Sequence, residues 1–191
     1  PDILQSYKFL ADIDFIRAKA LFAEQVKAIK PIVEDKRQMD WVRAVHPLLF
    51  LSLQKQGKQV VPLDIELTEG KRILIISGPN AGGKSVCLKT VGLLQYMLQC
   101  GLLIPLHERS RTGIFEHIFI DIGDEQSIEN DLSTYSSHLT NMKYFVKNCN
   151  ERTIILIDEF GSGTEPQIGG AIAEALLDRF NRNHSFGVIT T

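Results

Sequence analysis

The octapeptide Gly78–Ser85 carries residue types that could bind a chain of phosphates. It reads Gly-Pro-Asn-Ala-Gly-Gly-Lys-Ser and fits the pattern G-x-x-x-x-G-K-[ST] at every fixed position. Glycine lets a backbone wrap round an anion or take positive φ, and the inward amides then form an anion-binding nest at a helix N-terminus. The lysine would bring positive charge to the β- and γ-phosphates, and the serine hydroxyl would coordinate Mg²⁺. The octapeptide therefore predicts a site for a nucleoside triphosphate.

Each position of the octapeptide has a predicted role. Lys84 is predicted to be catalytic as well as nucleotide-binding, because its ammonium would stabilise charge on the transferred phosphoryl group. Ser85 is the predicted metal ligand of this segment, and the side chain of Asn80 could bond an oxygen of the γ-phosphate. The predicted nucleotide-binding residues of this segment are Gly78, Pro79, Asn80, Ala81, Gly82, Gly83, Lys84, Ser85 and Val86.

A second apolar segment ends in two acids, and it could supply the other half of the same site. Thr153–Ile157 is followed directly by Asp158 and Glu159. Asp158 is predicted to hold Mg²⁺, and Glu159 is predicted to take a proton from an attacking water. Adjacent acids at a strand end are also common in solvated turns, but the octapeptide favours the magnesium interpretation. The second acid favours hydrolysis by water over transfer to a small substrate.

Composition sets outer limits on these expectations. The chain has 191 residues, 44% of them hydrophobic, which is enough for one compact domain with a sizeable core. Its formal net charge of −2 gives no overall positive field for nucleic acid. The three cysteines lack C-x-x-C spacing, which is typical of free thiols in a reducing cytoplasm. No apolar run is long enough to cross a membrane, and four histidines are interpreted as structural or solvated rather than metal ligands: His107, His117, His138 and His184.

The elements that would position these residues follow from periodicity and turn signals. Residues 33–70 are predicted to be strand and loop, and the alternation in 60–67 suggests an antiparallel edge. The order of strand and helix then predicts an α/β fold with a mainly parallel sheet flanked by helices. The predicted helices are residues 12–30, 84–99, 133–149 and 168–180, and the further predicted strands are 72–77, 102–105, 114–122, 153–157 and 186–190.

Four segments together resemble the ATPase domain of MutS proteins. They begin with the octapeptide and its continuation to Leu94, and they include Asp121-Ile-Gly-Asp-Glu-Gln-Ser-Ile128. Asp131-Leu-Ser-Thr-Tyr-Ser-Ser-His138 and Asp158-Glu-Phe-Gly-Ser-Gly-Thr164 complete the set. The resemblance covers most of residues 43–191. It is closer to the second bacterial branch, associated with recombination control, than to the branch that recognises mismatches.

The resemblance implies a P-loop NTPase of ABC type that hydrolyses ATP with Mg²⁺. It implies a homodimer that sandwiches two nucleotides, in which Ser133 and Thr134 of one subunit reach the γ-phosphate held by the other. Taken alone, Ser-Thr before an apolar helix is an ordinary N-cap. Gln126 matches a residue that senses Mg²⁺ and the attacking water. The implied function is DNA repair or recombination, with DNA held by other domains; the ribosome is an alternative partner, and no membrane partner is expected.

The resemblance also implies a division of the chain. Residues 1–32 match the end of a preceding helical region in style, and residues 33–191 match the ATPase domain. The family's switch histidine would follow Thr191, so we expect this chain to stop before it and to hydrolyse ATP weakly by itself. His46 stands in Val-His-Pro, where the family usually has Arg-His-Pro.

Two other functions share part of this pattern. A transporter-type ABC cassette would carry both nucleotide motifs, but it should show Leu-Ser-Gly-Gly-Gln and a longer helical insert. This chain has Leu132-Ser-Thr-Tyr135 and a short interval between Lys84 and Asp158. A nucleotide-gated dimerisation module without turnover is the second alternative. Measuring ATP hydrolysis by the chain with and without the residues beyond Thr191 distinguishes this non-hydrolysing module from an enzyme.

Overall fold

Two four-stranded sheets and five helices make up the described part of the chain. The structure is a computed structural model that describes residues 2–79, 82–123, 131–162 and 164–191, with side chains described except at residues 2 and 131–135. In chain order the elements are α1 (Asp2–Gln25), β1 (Ile32–Val33), β2 (Met39–Ala44), α2 (Pro47–Lys55), β3 (Leu63–Leu67), β4 (Ile73–Ile76), α3 (Lys84–Gln99), β5 (Arg111–Thr112), β6 (His117–Asp121), α4 (Asp131–Asn148), β7 (Thr153–Ile157), α5 (Pro166–Arg182) and β8 (Phe186–Thr190).

The larger strands form a wholly parallel sheet in the order β4-β8-β7-β6. Its two central strands, β7 and β8, are buried along their whole length, which explains their unbroken apolar sequences. Because all four strands run the same way, their carboxyl ends meet at one edge of the sheet. The residues that follow β4 and β7 in the chain are therefore brought to a common edge, with β8 between them.

The expected antiparallel strands form a separate sheet. Its order is β1-β5-β2-β3, and β2 pairs antiparallel with both β3 and β5. The prediction of an α/β fold is confirmed, but the prediction that these strands edge the parallel sheet is wrong. Alternation of apolar and polar residues predicts a half-buried strand, but it does not predict which strand pairs with it.

Helix α3 lies between the two sheets and shares one core with both. The core combines buried side chains of α3, of β2 and β3, and of one face of the parallel sheet: Leu88, Val91 and Leu94; Met39, Trp41, Ile65 and Leu67; Ile154, Leu156, Phe186 and Val188. Gly92 permits close packing here, since a Cβ on it would lie 2.9 Å from the Leu156 side chain. The other face of the sheet packs against α4 and α5 through Met142, Phe145, Ile155, Ile157, Phe180 and Ile189.

Several element boundaries differ from the sequence predictions. Helix α1 begins at Asp2 and ends at Gln25, well before Pro31, and it buries little beyond Ala23 while its large apolar side chains are exposed. Residues 102–105 form no strand, only a single bridge between Ile104 and Ile29. Helix α2 lies in a region predicted to be strand and loop. Across the described residues, no helix has the length and apolarity that a membrane span requires.

Candidate functional site

The turn between β4 and α3 has the backbone of an anion-binding loop. Gly83 takes φ +81° immediately before α3, a conformation that other residues reach only with strain. The amide of Gly82 donates to the carbonyl of Pro79 at 2.9 Å, which tightens the turn. The first amides of α3 lack intrahelical acceptors by helix geometry, so they carry the positive end of the helix dipole. Asn80 and Ala81 lie outside the described residues.

Lys84 and its glycines leave room for a phosphate chain. The Lys84 side chain is buried, with 6% of its surface exposed, and its ammonium donates to the carbonyl of Gly78. A Cβ placed on Gly78 or on Gly83 would meet no atom within 4 Å, so these two positions leave room next to the turn. A buried ammonium next to the positive end of a helix suits a polyphosphate. The residues present fit ATP at this position.

The end of β7 places two acids at the same edge of the sheet. Asp158 is buried, and its amide donates to the Asp121 carbonyl at 2.9 Å. Glu159 follows with φ +50°, an uncommon conformation for a non-glycine residue that turns the chain away from the strand. Consecutive residues of the chain therefore have different surroundings, with Asp158 inside and the Glu159 side chain exposed.

Thr190 at the end of β8 lies between the last residue of β4 and the acids that follow β7. It pairs with Ile76, the last residue of β4, in the sheet register. Its hydroxyl donates to the carboxylate of Asp158 and accepts from the amide of Glu159 at 3.0 Å. The hydroxyl is fully buried, so losing these bonds would leave unsatisfied polar groups. Sequence reasoning missed Thr190, because a threonine at the end of an apolar strand does not by itself indicate a contact with the acids.

Asp121 at the end of β6 is a third acid at this edge of the sheet, and sequence reasoning did not assign it to the site. It is 6% exposed, and both carboxylate oxygens are hydrogen-bonded to α4. His138 Nδ1 lies 2.6 Å from Oδ2, and Asn141 Nδ2 donates to Oδ1 at 2.8 Å. The interpretation of His138 as a structural or solvated residue did not foresee this partner. The register of β6 beside β7 brings Asp121 next to Asp158.

A small cavity lies between the acids and helices α4 and α5. It has a volume of about 40 Å³, and about 10–15 Å³ suffices for one water. Its polar wall is formed by Asp121, His138, Asp158 and Glu159, and the rest by apolar residues of α4 and α5 with the loop after β7. Carboxylates and an imidazole therefore face a space that can hold water at the carboxyl edge of the sheet.

The structure places the described predicted residues at two positions, the start of α3 and the end of β7. Lys84, Ser85 and Val86 begin α3, and Asp158 and Glu159 end β7. Gln126 lies outside the described residues. Ser133 and Thr134 fall in the first turn of α4, where side chains are not described, so their prediction stays a prediction. Among the described residues no cluster of three or more histidines, cysteines and acids forms a separate metal site.

Two side chains near α3 have pKa values shifted in the direction that favours their neutral forms. His46 caps α2 by accepting a hydrogen bond from the Leu49 amide at 3.3 Å. Burial, followed by the charge of Lys89, lowers the pKa of His46 below its ordinary value. Burial raises the pKa of the Cys87 thiol to about 11, so Cys87 is a poor nucleophile near neutral pH.

Comparison with known proteins gives a consistent result. Residues 74–191 match the family model of MutS domain V. Endonuclease MutS2 of Shouchella clausii (strain KSM-K16) is 47% identical over 182 residues, which are 95% of this chain and 22% of that protein. The putative endonuclease MutS2 of Bacillus subtilis (strain 168) is 46% identical over 190 residues, 100% of this chain and 23% of that protein.

A further relative extends the same likeness. Endonuclease MutS2 of Carboxydothermus hydrogenoformans is 42% identical over 190 residues, 100% of this chain and 24% of that protein. The chain thus spans less than a quarter of the length of these relatives.

Proposed function

The chain belongs to the MutS family, as a relative of its second bacterial branch, and from that premise we propose that it is a Mg²⁺-dependent ATPase domain of ABC type. The nucleotide drives the closure of a homodimer, and ATP hydrolysis and closure are coupled to DNA held by other domains. Membership of this family disfavours the transporter-type cassette, which shares the two nucleotide motifs.

One observation carries the proposal: Thr190 lies between the two halves of the site. It neighbours Ile76 at the start of the phosphate-binding turn, and it bonds the Asp158 carboxylate on the other side. Neighbouring strands of a sheet are about 4.8 Å apart. The turn that suits phosphates and the acids that suit magnesium are therefore about two strand spacings apart, which matches the reach of a metal-bound triphosphate.

The proposed roles follow from this placement. Lys84 and the α3 amides grip the phosphates, while Ser85 and Asp158 hold the metal. When bound, Mg²⁺ would neutralise charge on the phosphate oxygens. Glu159 accepts the proton of an attacking water, because its exposed carboxylate follows Asp158 directly at the end of the strand.

Dimer closure is proposed to complete the set of positively polarised groups around the γ-phosphate. Ser133 and Thr134 begin α4, and a helix N-terminus of the partner would bring amides to the γ-phosphate. Gln126 is proposed to sense the metal and the attacking water.

Within the chain, residues 1–32 are proposed to end a preceding helical region and residues 33–191 to form the ATPase domain. The three free cysteines, Cys87, Cys100 and Cys149, fit a cytoplasmic location.

A nucleotide titration with a matched lysine variant tests the proposed site. Lys84→Ala in the full-length protein should weaken ATP binding by about tenfold or more, because hydrogen bonds to charged groups contribute roughly 1.5–3 kcal/mol. Lys89→Ala removes the same charge from an exposed position of α3 and should bind ATP like the wild type. Equal affinity in the Lys84→Ala and wild-type proteins would remove the basis for the phosphate site.

Steady-state ATPase assays test the coupling. We expect turnover to require Mg²⁺ and to respond to DNA, with branched, mismatched and plain duplexes and ribosomes compared side by side. A response to ribosomes but to no DNA would select the alternative partner. ATP-dependent dimerisation without turnover in the full-length protein would instead select the dimerisation module.

A further inference from the structure

Helix α4 is attached to the end of β6 by two polar contacts to a single carboxylate. His138 and Asn141 lie three residues apart on one face of the helix, and each bonds a different oxygen of Asp121, at 2.6 and 2.8 Å. A carboxylate held at both oxygens has one orientation, because turning it would break a bond. The pair therefore fixes the position of α4 along the strand as well as its distance.

The backbone of Asp121 is joined to β7 at the residue where the acids begin. Asp121 lies opposite Ile157 in the register, and its carbonyl accepts the Asp158 amide at 2.9 Å. One buried residue thus bonds α4 through its side chain and Asp158 through its backbone. A displacement of the β7 tip would therefore reach α4 through the polar contacts of Asp121 as well as through the apolar packing.

We propose that Asp121 is a positioning residue that makes the end of β7 and helix α4 move as one unit, with His138 and Asn141 as its contacts on the helix. This inference rests on the proposed function. The first turn of α4 contains Ser133 and Thr134, so the same unit carries the acids of one nucleotide site and the segment offered to the partner's site. Asp121 therefore links the position of the acids in one nucleotide site to the position of the α4 segment that would contact the other site.

Apolar packing holds α4 in the fold independently of these contacts. Met142, Phe145 and Cys149 are buried against the parallel sheet, and Phe145 stacks on Phe119 with ring centroids 5.0 Å apart. Because this apolar face supplies the area buried by the helix, loss of one hydrogen bond should leave the protein folded. The polar contacts fix the register of the helix, and the packing keeps it attached.

Variants of α4 in the full-length protein test the inference. His138→Ala and Asn141→Ala each remove one contact, His138→Asn keeps an amide donor near the position of Nδ1, and Lys143→Ala changes an exposed residue of the same helix. For each we would measure the melting temperature, ATP affinity by titration, kcat and KM, and ATP-dependent dimerisation. We expect the two contact-removing variants to lower kcat about tenfold, as loss of a supporting contact commonly does, with ATP affinity within about twofold of wild type.

The variants His138→Asn and Lys143→Ala distinguish a positioning role of these contacts from a purely structural role. Recovery of most of the lost kcat by His138→Asn, together with wild-type behaviour of Lys143→Ala, supports the inference. Unchanged kcat and dimerisation in folded His138→Ala overturn it, as does a parallel loss of ATP affinity and melting temperature. If the wild-type protein itself neither binds nor hydrolyses ATP, the proposed function fails first, and this inference fails with it.

Discussion

The hydroxyl of Thr190 donates a hydrogen bond to the carboxylate of Asp158, across the boundary between two neighbouring parallel strands. The same hydroxyl accepts the amide of Glu159 at 3.0 Å, so the contacts form a chain from amide to hydroxyl to carboxylate. The Glu159 amide also lies 3.1 Å from the same Asp158 oxygen. Thr190 therefore fixes both the orientation of Asp158 and the turn that releases Glu159 from the strand.

Thr190→Val should lower both turnover and stability. Valine has the shape of threonine without the hydroxyl, so the Asp158 carboxylate loses a buried donor and its orientation is less fixed. We expect the free energy of unfolding to fall by about 1–3 kcal/mol and kcat by about 10- to 100-fold, as for other residues that orient metal ligands. Urea unfolding and steady-state ATPase assays on the full-length protein measure the two effects.

Two further threonine variants separate these effects. Thr190→Ser keeps the hydroxyl and should retain most of the activity. Thr153→Val removes a buried hydroxyl at the opposite end of the sheet, where it bonds Asn150 at 3.0 Å; it should lose stability but keep turnover. Full activity in Thr190→Val would show that Asp158 is oriented without Thr190.

Glu159→Gln should bind ATP and hydrolyse it slowly. The amide keeps the shape of the side chain but cannot accept a proton, and loss of a positioned general base commonly costs about 10²- to 10⁴-fold in rate. Nucleotide titration and single-turnover hydrolysis distinguish binding from chemistry. Glu174→Gln, an exposed change on α5, is the matched control. Unaltered hydrolysis by Glu159→Gln would assign the base elsewhere.

The elements that hold the nucleotide motifs were largely predictable from sequence. Helix 84–99 and strands 153–157 and 186–190 have the predicted bounds. In these segments, motif, hydrophobic pattern and turn signals agree. Helix α2 was missed because its run of apolar residues after Pro47 also suits a strand, and because its cap is His46 rather than serine, threonine, aspartate or asparagine.

The supporting residues of the site were less predictable than its motifs. Thr190, Asp121 and Asn141 are single polar residues at strand ends or on a helix, and residues of these types are found at many such positions. Their contacts depend on the strand order β4-β8-β7-β6, which places residues far apart in the chain side by side. No local pattern contains that order, so the sequence predicts the two halves of the site but not the groups that join them.

Gly169→Ala should displace the loop that follows the acids. Gly169 is buried in α5, and a Cβ there would lie 2.2 Å from the carbonyl oxygen of Gly161 and 3.1 Å from the Thr164 methyl. Overpacking of this kind costs about 1–3 kcal/mol, and the displaced loop should lower turnover. Gly170→Ala is the control, since its Cβ would meet nothing within 4 Å. This variant should stabilise α5 by about 0.5–1 kcal/mol. A higher melting temperature for Gly169→Ala than for Gly170→Ala would contradict the close approach of Gly169 to Gly161.

His46 should make stability depend on pH. Its pKa is lowered below 6.5, first by burial and then by the charge of Lys89, so the folded protein takes up a proton less readily than the unfolded chain does. The unfolded state then binds more protons between the folded pKa and 6.5, and the stability due to neutral His46 is complete above about pH 6.5. It is lost as the pH falls from there through the folded pKa, because protonation removes the lone pair that accepts the Leu49 amide.

Urea unfolding of the wild type and of two His46 variants at pH 7.5 and 5.5 measures this contribution. Asparagine is a good N-cap that does not titrate, so His46→Asn should keep the helix cap and reduce the loss of unfolding free energy between the two pH values. His46→Ala should lose about 1 kcal/mol at pH 7.5, the usual contribution of an N-cap, and should show the same reduced pH dependence. Since the other titrating groups are common to all three proteins, only the difference between wild type and variants reports on His46. Equal pH dependence in the wild type and in His46→Asn would show that His46 titrates alike in the folded and unfolded states.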